Sequence, residues 1–164
     1  KEVVLYAHNK GATVEAEIGA IGGEEDGISN QLMYAKVIDA IKLVDETNVD
    51  FLAPALGSVH GLYKGEPKLD FERMQEISLK TNLPLVLHGG TGIYDNLIKK
   101  SISLGISKIN INTELQIAWS SSVRDFLNKE SNVYDPRKII KSGEQAIKNA
   151  IRDKVTLFGS LNKA

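Results

Sequence analysis

Apolar and polar positions along this chain switch repeatedly between a two-residue and a 3.6-residue period, and the switching lays out a strand–helix repeat. Thr13–Ile18 alternates as a strand does, and Tyr34–Thr47 sets Val37, Ile38, Ile41 and Val44 at helical spacing. Phe51–Leu56 is a short unbroken apolar run, as expected of a strand covered on both faces. The cycle then recurs. Asp70 is a candidate N-cap for a helix through Thr81, Pro84–Leu87 reads as a strand, and Tyr94–Leu104 as a helix stopped at Gly105. Ile106–Ile111 is another apolar strand, followed by a helix over Thr113–Asn128 with Leu115, Ile117, Ala118, Val123 and Phe126 at helical spacing. Asp135–Phe158 predicts two more helices, a short one opened by Asp135-Pro136 and a second over Glu144–Asp153. Ahead of the first strand, Lys1–Lys10 reads as the end of a helix stopped at Gly11. Two stretches are expected to be loops: Gly19–Asn30, glycine-rich, mobile and acidic around Glu24-Glu25-Asp26, and His60–Leu69, turning at Lys64-Gly65-Glu66-Pro67.

The order is thus β-α-β-α-β-α-β-α with a helical tail, which builds a parallel sheet covered by helices. Four such units make either a small open sheet or half of an eightfold barrel. A closed barrel takes about 250 residues, more than the 164 here. Both alternatives collect functional residues at the C-terminal ends of the strands.

Composition narrows the function classes. Hydrophobic residues at 42% and charged residues at 25% are ordinary for a globular domain with a sizeable core. A formal net charge of −1 and few aromatics give no pull toward nucleic acid or a membrane surface. The chain has no cysteine, which excludes disulfides, thiolate ligands and a cysteine nucleophile and suits a cytoplasmic location. No apolar run approaches the ~20 residues that span a bilayer, and no signal-peptide pattern is present.

The chemistry concentrates at strand ends. Two of the three histidines, His60 and His88, lie at or just past short apolar runs, and each is followed by glycine. Paired imidazoles in that setting suggest a metal centre, and Gly61 and Gly89 would let backbone approach a bound group without an intervening Cβ. His8 has no such context and is expected to be a surface residue. Glu15 and Glu17 share one face of their strand, which is costly unless a metal or an unseen basic residue balances them; Glu17, nearer the strand end, is the better placed to reach a metal. Gly89-Gly90-Thr91-Gly92 follows a strand and is expected to open a helix, so its N–H groups could cradle an anion. Asn110-Ile111-Asn112-Thr113 offers a second donor loop at the next strand end.

In this order and at this spacing, six segments resemble the class II, metal-dependent fructose-1,6-bisphosphate aldolases. They are Val14-Glu15-Ala16-Glu17-Ile18-Gly19, Gly22-Gly23-Glu24-Glu25-Asp26, Leu52 through Gly61, Leu62 through Phe71, Leu87 through Gly92, and Lys108 through Glu114. The resemblance covers essentially the whole chain, through Tyr134-Asp135-Pro136-Arg137-Lys138. It implies that His60 and His88 are two of three histidines on a catalytic zinc, and that Glu17 serves a second metal or cation position. It assigns Gly61, Gly89, Gly90, Thr91, Asn110, Ile111, Asn112 and Thr113 to the dihydroxyacetone phosphate end of the substrate, and Glu25 to proton movement during enolisation. Arg137 corresponds to an arginine offered to the far phosphate of a neighbouring subunit, which implies a homodimer or homotetramer. The family's first four β/α units, with the acidic catalyst and the first zinc histidine, have no counterpart. The chain is therefore expected to be units five to eight of a (β/α)8 TIM barrel plus a helical tail, a fragment of a single aldolase domain. The implied reaction cleaves fructose 1,6-bisphosphate to dihydroxyacetone phosphate and glyceraldehyde 3-phosphate. Tagatose-1,6-bisphosphate aldolases share the pattern but tend to carry alanine where Asn112 stands, so Asn112 favours fructose. A non-catalytic phosphate- or metal-binding half-barrel is the alternative from another class.

Overall fold

The computed structural model describes residues 1–25 and 28–163, with backbone alone for Glu25, Ile28, Ser29 and Asn30. The chain forms two compact units, Lys1–Asn110 and Ile111–Ala164. The first contains α1 (Glu2–His8), β1 (Glu15–Ile18), β2 (Gly22–Glu25), β3 (Ile28–Asn30), α2 (Val37–Thr47), β4 (Phe51–Pro54), β5 (Val59–His60), α3 (Phe71–Thr81), β6 (Leu85–Leu87), α4 (Asp95–Ser103) and β7 (Ile106–Ile109). The second contains α5 (Thr113–Lys129), α6 (Pro136–Ser142) and α7 (Glu144–Leu157).

The four predicted strands pair in the order β1-β4-β6-β7, and every pairing is parallel. Glu17 lies beside Ala53, Leu52 beside Leu85 and Leu87 beside Ile109, so the strand C-termini share one edge. Leu52, Leu85, Val86 and Leu87 are fully buried, as a strand covered on both faces requires. Met74 and Ile77 of α3 and Ile98 of α4 supply the helical side of this core. Asp70 caps α3 as its position predicts: its carboxylate accepts from the Arg73 N–H at 3.0 Å and from the Arg73 side chain at 2.9 Å. Asn48 and Asn82 end α2 and α3 in the left-handed conformation that asparagine tolerates. In the second unit α5 packs on α6 and α7, and Lys154 pairs with Glu114 at 2.9 Å.

Two expectations are corrected. Gly19–Asn30 is not simply a loop: β2 and β3 form an antiparallel pair with Glu25 opposite Ile28, and Ala20 bridges Met33 below it. The sequence between the paired ends is Asp26-Gly27, a dipeptide that favours two-residue hairpin turns, and that signal was available. The His60–Leu69 stretch also begins in a strand, because β5 pairs with β2 in a second, three-stranded sheet of order β3-β2-β5. A strand of two residues leaves no periodicity to read. His8 is exposed, as expected, and its Nε2 lies 2.9 Å from Asp50 Oδ2, which also accepts from the Val14 N–H at 2.6 Å. That bond joins the end of α1 to the start of the sheet. The His8 and Val14 hydrogen bonds hold the Asp50 carboxyl below the usual aspartate range.

Candidate functional site

The C-terminal edge of the parallel sheet brings together the side chains that the sequence singled out. His88 stands one residue beyond β6, and both of its ring nitrogens meet carboxylates: Nε2 faces Glu15 Oε1 at 3.0 Å and Nδ1 faces Glu17 Oε2 at 2.8 Å. The alternation of β1 places both glutamates on one face, and the parallel register carries them toward the end of β6. The missing basic residue is Lys108, whose Nζ lies 2.6 Å from Glu15 Oε2. Lys108 sits on β7 and Glu15 on β1, with β4 and β6 between them. Strands lie about 4.8 Å apart, so in a flat sheet these side chains would be some 14 Å apart at their roots. Extended lysine and glutamate side chains together reach that far, so the pair bridges the width of the sheet across β4 and β6. Partial burial pushes the Glu15 carboxyl up, but hydrogen bonds and charge from Lys108 and His88 outweigh it and hold the group below the ordinary glutamate range.

His60 arrives differently. It lies on β5, six residues beyond the end of β4, and its ring stacks near His88 with centroids 6.0 Å apart and planes 28° apart. Its placement is set through backbone contacts. Gly23, paired with His60 across β2 and β5, has φ +96°, and a Cβ there would lie 2.2 Å from the His60 carbonyl oxygen. Gly89 has φ +66°, and its Cβ would lie 2.2 Å from the Val59 carbonyl oxygen. The space left by the missing Cβ of Gly89 thus admits the Val59 carbonyl, a reason for glycine in addition to the one expected from the sequence.

The donor loops are also arranged differently from the expectation. Helix α4 begins at Asp95, with Tyr94 as its N-cap, so Gly89–Gly92 is a turn before the helix and not its first turn. The Gly90 N–H is engaged by the Asn110 carbonyl at 3.1 Å, which fastens the two loops together. Gly90 can then serve a ligand only by the close approach of its backbone. Thr91 is buried in the same turn, and Gly61 follows His60 with φ +81°. Ile111, Asn112, Thr113 and Arg137 belong to the second unit. There Thr113 opens the 17-residue α5, and the Asn112 side chain makes no capping bond to it. Arg137 is exposed, with its guanidinium on Asp135 at 2.9 and 3.0 Å. The backbone of Glu25 closes β2, and its side chain lies outside the described residues, as do Asp26 and Gly27.

Among the described residues no group of three or more histidine or carboxylate side chains already stands ready to hold a metal ion. The donor chemistry nevertheless fits one. Imidazole nitrogens bind zinc at about 2.0–2.1 Å, which at a tetrahedral angle puts the centroids of two rings on one ion about 5 Å apart. The observed 6.0 Å is about 1 Å wider than that, and the Glu17 carboxylate stands beside the Nδ1 of His88. Glu15, anchored by Lys108 on the opposite nitrogen, fixes the ring as carboxylates do behind metal-bound histidines. Lys108, Glu15 and Tyr63 are the functional neighbours that the sequence reading left without roles. Lys108 was within reach, being the one cation in an apolar strand beside two unbalanced carboxylates.

The family model for class-II fructose-bisphosphate aldolase matches residues 1–163. Fructose-bisphosphate aldolases of Staphylococcus aureus and Geobacillus stearothermophilus are 54% and 55% identical over 100% and 99% of this chain. The chain spans a little over half the length of these relatives, 58% and 57%. The solved YdjI aldolase of Escherichia coli K12 is 36% identical, covers 99% of this chain with 55% of its own length matched, and superposes with a TM-score of 0.79. A fructose-bisphosphate aldolase structure from Campylobacter jejuni, 23% identical over 99% of this chain and 55% of its own, shares the fold with a TM-score of 0.80.

Proposed function

The chain belongs to the class-II fructose-bisphosphate aldolase family, and from that premise we propose that it supplies the C-terminal half of a TIM-barrel aldolase that cleaves fructose 1,6-bisphosphate reversibly to dihydroxyacetone phosphate and glyceraldehyde 3-phosphate. The observation that carries the reading is the 6.0 Å approach of the His60 and His88 rings, with Glu17 on Nδ1 of His88, in a chain matched by the family from residue 1 to 163. His60 and His88 are two of the ligands of a catalytic zinc, and Glu17 serves a second metal or cation position. When bound, the metal supplies Lewis-acid polarisation of the ketose carbonyl as the carbon–carbon bond breaks.

The chain's own groups do the rest. Glu15 and Lys108 orient the His88 ring. Gly61, Gly89, Gly90, Thr91 and Asn110 shape the backbone around the dihydroxyacetone phosphate end, the role to which the family resemblance also assigns Ile111, Asn112 and Thr113. The first N–H groups of α5 suit a phosphate, because a helix leaves them unsatisfied and partly positive. Glu25 moves the proton during enolisation. Its strand supports that role, since β2 runs beside β5 and Gly23, two residues earlier, pairs with His60. Arg137, exposed on α6, is available to the far phosphate of a neighbouring subunit in a homodimer or homotetramer. Asn112 favours fructose over tagatose. Among the described residues no helix is long and apolar enough to cross a membrane.

Cleavage of both ketose bisphosphates by the native polypeptide, before and after chelation, tests the reading. Fructose 1,6-bisphosphate is expected to be cleaved faster, with loss on chelation and recovery with zinc. Faster tagatose ester cleavage would overturn the substrate assignment. A function untouched by chelation would favour the non-catalytic half-barrel.

A further inference from the structure

Tyr63 sits at the join between the two histidine segments. Its hydroxyl oxygen accepts from the Val59 N–H at 3.2 Å and donates to the Gly89 carbonyl at 3.2 Å. Val59 is the residue before His60, and Gly89 is the residue after His88. A single oxygen atom therefore bonds both backbone segments that present the imidazoles. The ring itself lies against the glycine turn, since a Cβ on Gly92 would stand 3.4 Å from Tyr63 Cδ2. Burial raises the phenol's pKa, which keeps its proton available for donation.

The link matters because β5 belongs to the smaller sheet and β6 to the parallel one. β5 is two residues long and joins its sheet through the Gly22–Val59 and Gly23–His60 pairs. The Tyr63 hydroxyl adds a bond from the start of β5 to the segment that follows β6. We propose that Tyr63 is a positioning residue for the metal centre: its hydroxyl sets the Val59–His60 backbone against the His88–Gly89 backbone and so sets the spacing of the two imidazoles. This rests on the metal-dependent reading above. Tyr63→Phe would keep the ring against Gly92 and leave the Val59 N–H and the Gly89 carbonyl without that partner. Removing groups that orient metal ligands costs about 10–100-fold in metal affinity or activity.

The test compares the native polypeptide with its Tyr63→Phe variant by zinc affinity in chelator competition, by the visible spectrum of the cobalt-substituted protein, and by hydrogen exchange at the Val59 amide. The expected result is zinc binding weaker by about tenfold, a changed cobalt spectrum, and faster exchange at Val59. A variant with wild-type zinc affinity and an unchanged cobalt spectrum, even one that melts earlier, would reduce Tyr63 to a packing residue and overturn the proposal. None of these readouts needs a sugar phosphate. A wild-type protein that binds zinc but cleaves no ketose bisphosphate would refute the aldolase reading while the Tyr63 comparison still stood on its own. Should the variant not fold, exchange in the wild-type protein decides: Val59 more protected than Gly61 and Leu62 supports the link, and equal rates overturn it.

Discussion

His88 stands one residue past a fully buried strand of the parallel sheet, whereas His60 stands on a two-residue strand of the smaller sheet. The first is fixed through its side chain, by Glu15 and Glu17 on its two nitrogens. The second is placed through its backbone, by the absence of a Cβ at Gly23 and Gly89 and by the Tyr63 hydroxyl behind Val59. The same side chain is thus held by two kinds of structure. A sheet with a buried core can spare its polar side chains to orient a ring, but a short strand must first be held in place. The two histidines should therefore fail in response to different substitutions.

The largest effect is expected at Gly23. Alanine there would meet His60 backbone at 2.2 Å and sit at φ +96°, a conformation that costs an L-residue about 1–3 kcal/mol before the overlap is counted. A misplacement of about 1 Å in a catalytic group can cost roughly 100-fold, so Gly23→Ala should lower kcat/KM by about that factor. Steady-state kinetics with zinc analysis checks it, and a Gly23→Ala protein with wild-type values would break the comparison. Lys108→Met acts on the other histidine. It removes the cation from Glu15 and should weaken zinc binding about tenfold. Because Lys108 is half exposed, the change in stability should stay below about 1 kcal/mol. A chelator titration beside a melting curve separates the two, and a fall in melting temperature without loss of zinc affinity would show that the pair supports the sheet and not the ring.

The smallest effect concerns the base of the His60 segment, where the Asp70 N–H donates to the Leu56 carbonyl at 2.9 Å. Partial burial raises the Asp70 carboxyl, but the Arg73 N–H and guanidinium outweigh it and hold the group below the usual aspartate range. A carboxyl lowered in the folded state stabilises fully above its unfolded value, about 3.9, and that contribution is lost as pH falls through the folded value. Asp70→Asn should therefore be less stable by under about 1 kcal/mol near neutrality and show a shallower loss below about pH 4. Melting temperatures between pH 3 and 7 test this, and parallel acid limbs for the two proteins would contradict it.

The division between the two histidines also marks what the sequence could reveal. The parallel strands were legible because Phe51–Leu56 and Pro84–Leu87 are apolar runs bounded by helical periods, and the Asp70 cap was legible from its position alone. The pairing of Glu15 and Glu17 on one face followed from alternation. The smaller sheet was not legible in β5, because two residues carry no period and its hold on β2 depends on pairs 37 residues apart in sequence, Gly22 with Val59 and Gly23 with His60. The residue type at Gly89 was legible, but its close approach to the Val59 carbonyl was not. Sequence shows where a Cβ is missing and not what fills the space. For the same reason Tyr63 carries no local signal, since its Gly89 partner lies 26 residues away.

The central claim is that His60 and His88, held by different means, share one catalytic metal. Zinc content and fructose 1,6-bisphosphate cleavage, measured together on the native polypeptide and on His60→Ala and His88→Ala, test it most directly. The account predicts that either substitution removes bound zinc and cleavage together, as chelation of the wild-type protein does. A variant of either histidine that keeps both the metal and the cleavage would contradict it.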